Sequence, residues 1–249
     1  MKYVRAGTFF LIAAVSFFSL RPIGFGEAVA KERRVVVDSS GWKIVGDLLV
    51  PKSGRPLPAV ILLNKAAGDR RIYEGLAREL AEKGIASFRI DLRGHGESIN
   101  KGKFVPGNQD ALTLIEGSDE DVTAAFRYLK TVLGVDAQRI GFVGASYSGE
   151  MMAVSTRKYG YGKAYVALSP GSFSEESMEA IDRTGIPWLF IKSAEERSKS
   201  VKELFPQVRQ RSRTAQIMEV AGTEHATDIL SAHSELAEMI AVWFKHHLR

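Results

Sequence analysis

Short apolar runs rich in Val, Ile and Leu alternate along this chain with segments whose apolar residues recur every three or four positions, and nothing else in the sequence constrains the fold as strongly. Residues 57–63 (LPAVILL) carry no polar side chain, the pattern of a strand covered on both faces. In residues 72–83, Ile72, Leu76 and Leu80 stand four apart among charges, and Gly84 marks the stop of a helix. The unit then repeats. Further strands are predicted at 85–90, 139–143, 164–168, 186–191 and 216–220. Helices fall among them: one carries Val122, Phe126, Leu129 and Leu133 up to Gly134, one covers 149–158, and a short one covers 175–182. A weak helix covers 201–208, with Pro206 as a break, and a last one sets Leu236, Ile240 and Trp243 on one face. Upstream, 34–38 and 42–50 read as the two arms of a hairpin around Ser39-Ser40-Gly41. Strands alternating with helices of this length imply right-handed crossovers, so the expected class is α/β, a mostly parallel sheet with helices on both faces. No repeat, low-complexity tract or linker divides it, and one domain is expected over residues 31–249.

The first thirty residues stand apart. Lys2 and Arg5 precede an apolar run over 6–20, and Ala28-Val29-Ala30 puts small residues at positions −3 and −1 of a cleavage site, so 1–30 reads as a signal peptide. The run is shorter than the roughly 20 residues that cross a bilayer. The mature protein is therefore expected to be exported, periplasmic or extracellular, with no stable membrane insertion. The chain carries 34 basic and 29 acidic residues for a net charge of +5. Three of the basic residues and one of the acidic lie in the leader, and what is left is too weak a bias to imply a nucleic-acid partner. Arg209, Arg211 and Arg213, spaced by two, do not share a helical face and read as solvated charge. The absence of cysteine excludes a thiolate nucleophile, a Cys-ligated zinc, an iron–sulfur cluster, disulfides and a lipoprotein anchor.

In sheets of this kind ligands bind beyond the carboxyl ends of the strands, which directs attention to four loops. Gly144-Ala145-Ser146-Tyr147-Ser148-Gly149 joins a predicted strand to a predicted helix. Small neighbours permit a sharp turn that lifts the Ser146 hydroxyl clear of the sheet and aims the Tyr147 amide at a reaction centre, aided by the helix N-terminus. A hydroxyl nucleophile needs a base, and imidazole is the usual one. Of five histidines, His233, His246 and His247 lie in polar stretches near the end, His95 lies in another loop, and His225 alone follows the last strand. Glu195 and Glu196 follow the strand before it, where a carboxylate can orient the imidazole. The fourth loop, Asn64-Lys65-Ala66-Ala67-Gly68, has the small residues that leave backbone amides free for a second oxyanion contact. The order Ser, acid, His differs from those of chymotrypsin and subtilisin.

With these motifs the mature chain resembles the α/β-hydrolase superfamily over its whole length. The resemblance rests on Asp91-Leu92-Arg93-Gly94-His95-Gly96-Glu97-Ser98, on Gly144 to Gly149, and on Gly222-Thr223-Glu224-His225. The opening hairpin, with Gly41 and Gly46 before Pro51, is similar to the dienelactone-hydrolase and S9-peptidase-like branches. The family implies an eight-stranded sheet, Ser146 as nucleophile, His225 as base, and neither a cofactor nor a metal. It also implies that the Asp91–Ser98 loop is structural, which takes His95 out of the chemistry. Counted from Pro187, the family's acid falls on Glu196, with Glu195 and Asp228 as rivals. The amides of Tyr147 and Ala66 are the implied oxyanion donors, with Lys65 as the alternative to Ala66, because Asn64-Lys65 stands where the family usually has His-Gly. Only 17 residues separate Leu168 from Ile186, too few for a lid domain.

Three functions fit this reading. The first is an exported serine hydrolase that cleaves carboxylic esters of small soluble substrates through an acyl-enzyme. The second is an S9-like peptidase, although such enzymes usually carry a large extra domain that has no room here. The third is a non-catalytic binding or scaffold protein that retains the fold, for which the altered Asn64-Lys65 loop is the best support.

Overall fold

The computed structural model describes residues 32–249 except 184 and 213, so the expected leader over 1–30 and the Arg213 member of the arginine cluster lie outside the described residues. The chain opens with a hairpin, β1 (Arg33–Ser39) and β2 (Trp42–Leu49), whose turn puts Ser40 and Gly41 at positive φ. The buried run forms β3 (Leu57–Leu63), followed by a 3-10 turn (Arg70–Tyr73), α1 (Glu74–Glu82) and β4 (Ala86–Ile90). Next come α2 (Ala111–Glu116), α3 (Asp119–Leu129), β5 (Val135–Ala145), α4 (Ser148–Tyr159) and β6 (Tyr165–Leu168). The chain finishes with α5 (Glu175–Arg183), β7 (Trp188–Ser193), α6 (Lys199–Arg211), β8 (Gln216–Val220), α7 (Asp228–Ala232) and α8 (Glu235–His247).

The eight strands form one sheet in the order β1-β2-β4-β3-β5-β6-β7-β8. The pairings of β2 with β1 and β4 are antiparallel, and every other pairing is parallel. Period-two alternation divides the core into two layers. Along β3, Ala59, Ile61 and Leu63 join Phe126, Phe142, Tyr165, Trp188 and Phe190 on the face covered by α3, α4 and α6. Val60 and Leu62 point the other way, to Leu76, Leu80, Ile240 and Phe244 from α1 and α8. Because both faces of the central strands are covered, their sequences carry no polar alternation, which is why 57–63 reads as an unbroken apolar run.

Several sequence expectations need correction. Helix α3 stops at Leu129: after the cap at Lys130 the amides reach only three residues back, from Thr131 to Tyr128 and from Val132 to Leu129, and Val132 is buried while Leu133 is 97% exposed. Pro206 does not break α6, which runs through it because Val201, Leu204, Phe205 and Val208 bury one continuous stripe. On α8 the buried stripe is Leu236, Ile240 and Phe244, with Trp243 at its edge and its indole N–H on Gln216. The short helices α2 and α7, five or six residues each, have no periodicity long enough to detect. Among the described residues no helix is long and apolar enough to cross a membrane.

Candidate active site

The central strand β5 ends at Ala145 and α4 begins at Ser148, which leaves Ser146 on a turn with φ +56°. A non-glycine side chain rarely adopts that conformation, and the turn is held from three sides. The Ser146 amide donates to the Leu168 carbonyl at 2.9 Å. The Ser148 hydroxyl accepts from the Ala145 amide at 2.7 Å and lies 3.2 Å from the Leu63 carbonyl, which ties the turn to the end of β3. At Gly144 a Cβ would come within 2.7 Å of the Ser148 carbonyl oxygen, so the helix packs this close only because the position is glycine.

His225 lies in the loop between β8 and α7, with its Nε2 3.1 Å from Ser146 Oγ and its Nδ1 3.1 Å from Glu196 Oε2. The acid turn and the base turn are fastened to each other. Ala194 donates to the Val220 carbonyl at 2.7 Å, Glu195 to the Gly222 carbonyl at 3.0 Å, and the Ser193 hydroxyl to the Glu224 carbonyl at 2.7 Å. Glu196 is buried and its Oε1 accepts the Ser198 amide at 3.0 Å. Burial alone would raise its pKa. The Ser198 amide, His225 and the Ser169 hydroxyl outweigh that and hold the carboxyl below its ordinary range. Glu195 uses its backbone in this junction and leaves its side chain exposed. Asp228 pairs instead with Lys65, its Oδ2 2.5 Å from Nζ.

Asn64 holds the loop after β3. It is fully buried, accepts the Leu92 amide at 2.9 Å, and donates to the Lys65 carbonyl at 2.8 Å. The Gly68 amide closes the turn on the Lys65 carbonyl at 3.1 Å, with Ala67 at φ +57°. The amides of Lys65, Ala66 and Tyr147 donate to no acceptor among the described residues, so all three are available to a ligand oxygen. Ala67, Ser146, Ser169 and Ala226 are four of the five non-glycine residues described at positive φ, and all four lie in these loops. Strain of this kind persists only where the surroundings over-determine it.

The Asp91–Ser98 segment braces the site from behind. Asp91 is fully buried and accepts the Arg70 amide at 2.7 Å and the Glu97 amide at 2.9 Å, and the Ser98 hydroxyl donates to the Asp91 carbonyl at 2.7 Å. A Cβ at Gly96, where φ is +48°, would sit 2.2 Å from the Asp91 carboxylate. His95 is buried, its Nδ1 2.9 Å from the Arg93 carbonyl and its ring stacked on Phe104 and Tyr147, and burial lowers its pKa. It supports the Tyr147 side of the turn and makes no hydrogen bond to Ser146. His233 bonds the Ala221 carbonyl, His246 is exposed, and His247 packs on Trp243.

The same arrangement of strands is found in solved hydrolase structures. Dienelactone hydrolase from Anabaena variabilis superposes with a TM-score of 0.67 at 17% identity, covering 88% of this chain and 99% of that one. Est1E from Butyrivibrio proteoclasticus, with ferulic acid bound, gives 0.66 at 18% identity over 84% of this chain and 98% of its own. The Pyrobaculum calidifontis esterase gives 0.66 at 17% identity, with 89% and 86% covered. The chain has the α/β-hydrolase fold. No protein-family model matches it. Its sequence is 29% identical over 177 residues to an uncharacterized protein of Mycobacterium tuberculosis, a match that covers 70% of this chain but 57% of the relative.

Within the α/β-hydrolase fold, sequence reasoning alone missed the parts that act at long range. Asn64 was visible as a departure, but its bond to Leu92, 28 residues on, was not. Ser169 and Ser193 follow or end apolar strands and look like ordinary loop serines until the acid turn is folded over them. The contact between Lys65 and Asp228 spans 163 residues and has no local signal at all.

Proposed function

We propose that the protein is an exported serine hydrolase that cleaves carboxylic esters of small soluble substrates through an acyl-enzyme. The observation that carries this reading is the continuous chain from Ser146 Oγ through the His225 ring to Glu196, at 3.1 Å for each hydrogen bond, on a turn with Ser146 at φ +56°. With Nδ1–H directed at a buried carboxylate, His225 presents the lone pair of Nε2 to the hydroxyl, the tautomer a general base requires. Ser146 attacks the ester carbonyl as His225 takes its proton. The tetrahedral oxyanion is met by the Tyr147 amide and, from the other side, by the Ala66 amide, with Lys65 one residue away. Collapse expels the alcohol, which receives the proton from His225, and a water activated by the same imidazole then releases the acid. Glu196 stabilises the imidazolium formed in each half-reaction. The hydrolase and esterase names of the structural neighbours agree with this chemistry, and export rests on the leader-like pattern of residues 1–30.

The decisive experiment is labelling with a fluorophosphonate probe, wild type beside Ser146→Ala. Covalent labelling and ester hydrolysis that both vanish in the variant are expected. Absence of Ser146-dependent labelling and hydrolysis would overturn this reading and favour a scaffold.

A further inference from the structure

We infer that Lys65 and Asp228 form a latch that positions the oxyanion turn after β3 against the base that follows β8, an inference that rests on the proposed hydrolase reading. In the sheet, β3 and β8 are separated by β5, β6 and β7, so the loops that follow them start far apart. Both reach back over the end of β5. The loop after β8 brings His225 to Ser146, and the side chain of Lys65, from the turn after β3, meets Asp228 three residues beyond that histidine with Nζ and Oδ2 2.5 Å apart. Among the described residues this is the one hydrogen bond or ion pair joining the two loops.

As a contribution to stability such a pair counts for little. Asp228 is half exposed, its side chain at 52%, and exposed ion pairs seldom add measurably to folding. Its place is what gives it a function. One end belongs to the turn whose amides at Lys65 and Ala66 donate to no acceptor among the described residues and, on the proposed reading, meet the oxyanion. The other is the first residue of α7, three positions after the base. The inner side of the oxyanion turn is already pinned, by Asn64 to the Leu92 amide and to the Lys65 carbonyl. Apart from the Asn64 bonds, the Lys65 Nζ pair is the one side-chain hydrogen bond or ion pair that residues 64–68 make to another loop among the described residues. Residues at 64 and 65 that depart from the family's usual His-Gly thus act together, one fixing the turn to the sheet and the other fixing it to the base. Both are positioning residues. A turn allowed to drift by a fraction of an ångström still admits substrate but holds the oxyanion less well in the transition state, so the effect belongs in kcat and not in KM.

The test measures kcat and KM on one soluble p-nitrophenyl ester for Lys65→Met, Asp228→Asn, the double variant and Lys65→Arg, with Ser146→Ala as the blank and melting curves as the folding control. Asn preserves the shape of Asp at the start of α7. Each single variant is expected to lose about fivefold in kcat, the scale on which a half-exposed ion pair biases a loop, with KM within about twofold and melting unchanged. The double variant should equal either single, because the second substitution removes nothing further, and Lys65→Arg should restore most of the loss. Singles at the wild-type kcat, losses that multiply in the double variant, or a loss confined to one partner would overturn the latch while leaving the hydrolase intact. A wild type no faster than Ser146→Ala would overturn both.

Discussion

Glu195 and Glu196 are neighbours of identical chemistry in opposite circumstances. The first is solvated. The second is 3% exposed, bonded to His225 and to the Ser198 amide, and lowered in pKa by those partners against its burial. Glu196→Gln exchanges an acceptor for an amide that can donate to Nδ1, which leaves the imidazole in the wrong tautomer for taking a proton at Nε2. A fall in kcat of about 10²- to 10⁴-fold is expected, against a change within about tenfold for Glu195→Gln. The pH dependence has a fixed sign. A carboxyl whose folded pKa is depressed stabilises the fold above its ordinary pKa, and that contribution disappears as pH falls through the lowered value. Any melting deficit of Glu196→Gln should therefore be largest near neutral pH and close in acid. Equal kcat losses for the two variants, or a deficit that grows in acid, would contradict the assignment. At this scale the sequence carried Ser146 and His225 because each sits in a loop after a strand, with small residues beside it. It did not carry what holds them, since Ser193 and Asn64 act on residues up to 31 positions away.

Among the elements, α6 is where local propensity and tertiary packing disagree. Pro206 lies within a 13-residue helix, where it removes one backbone hydrogen bond and crowds the preceding turn, at a cost of about 3 kcal/mol. The helix forms nevertheless, because Val201, Leu204, Phe205 and Val208 are buried against the sheet. That burial outweighs the defect, which is why a reading based on proline as a breaker stops the helix too early. Pro206 itself is exposed, so replacing it disturbs no packing. Pro206→Ala should stabilise the protein by about 1–2 kcal/mol, the recovered hydrogen bond less the roughly 1 kcal/mol that proline contributes by restricting the unfolded chain. Urea unfolding of the two proteins checks this, with a higher midpoint and an unchanged slope expected; a lower midpoint would contradict it. Elements buried on one stripe or on two faces, such as β3 and α1, were legible to within two residues because their apolar period is long enough to count. The five-residue α7 was not, although it carries Asp228.

Over the whole molecule, the alternation of strand and helix was enough to specify a parallel sheet, and the antiparallel hairpin at its edge followed from the turn at Ser39-Ser40-Gly41. The strand order was not legible, because nothing local records that β4 inserts between β2 and β3. One absence visible in the sequence has a consequence for substrate choice. The connection from β6 to β7 holds the single helix α5, and its Met178 and Ile181 are buried in the core cluster shared with α4 and α6, so it is part of the scaffold and not a movable cover. The connection from β4 to α3 exposes Ile99, Val105 and Leu112, at 44%, 48% and 63%. Three side chains are a small apolar area for an oil–water boundary. If no lid opens over the site, no large apolar face is uncovered and no gain from an interface is expected. On a p-nitrophenyl ester series from acetate to palmitate, kcat/KM should be highest among the short, soluble members and should not jump when substrate passes its micelle point. A maximum at palmitate with a jump at that point would require an apolar surface that α5 and the 99–112 loop do not supply.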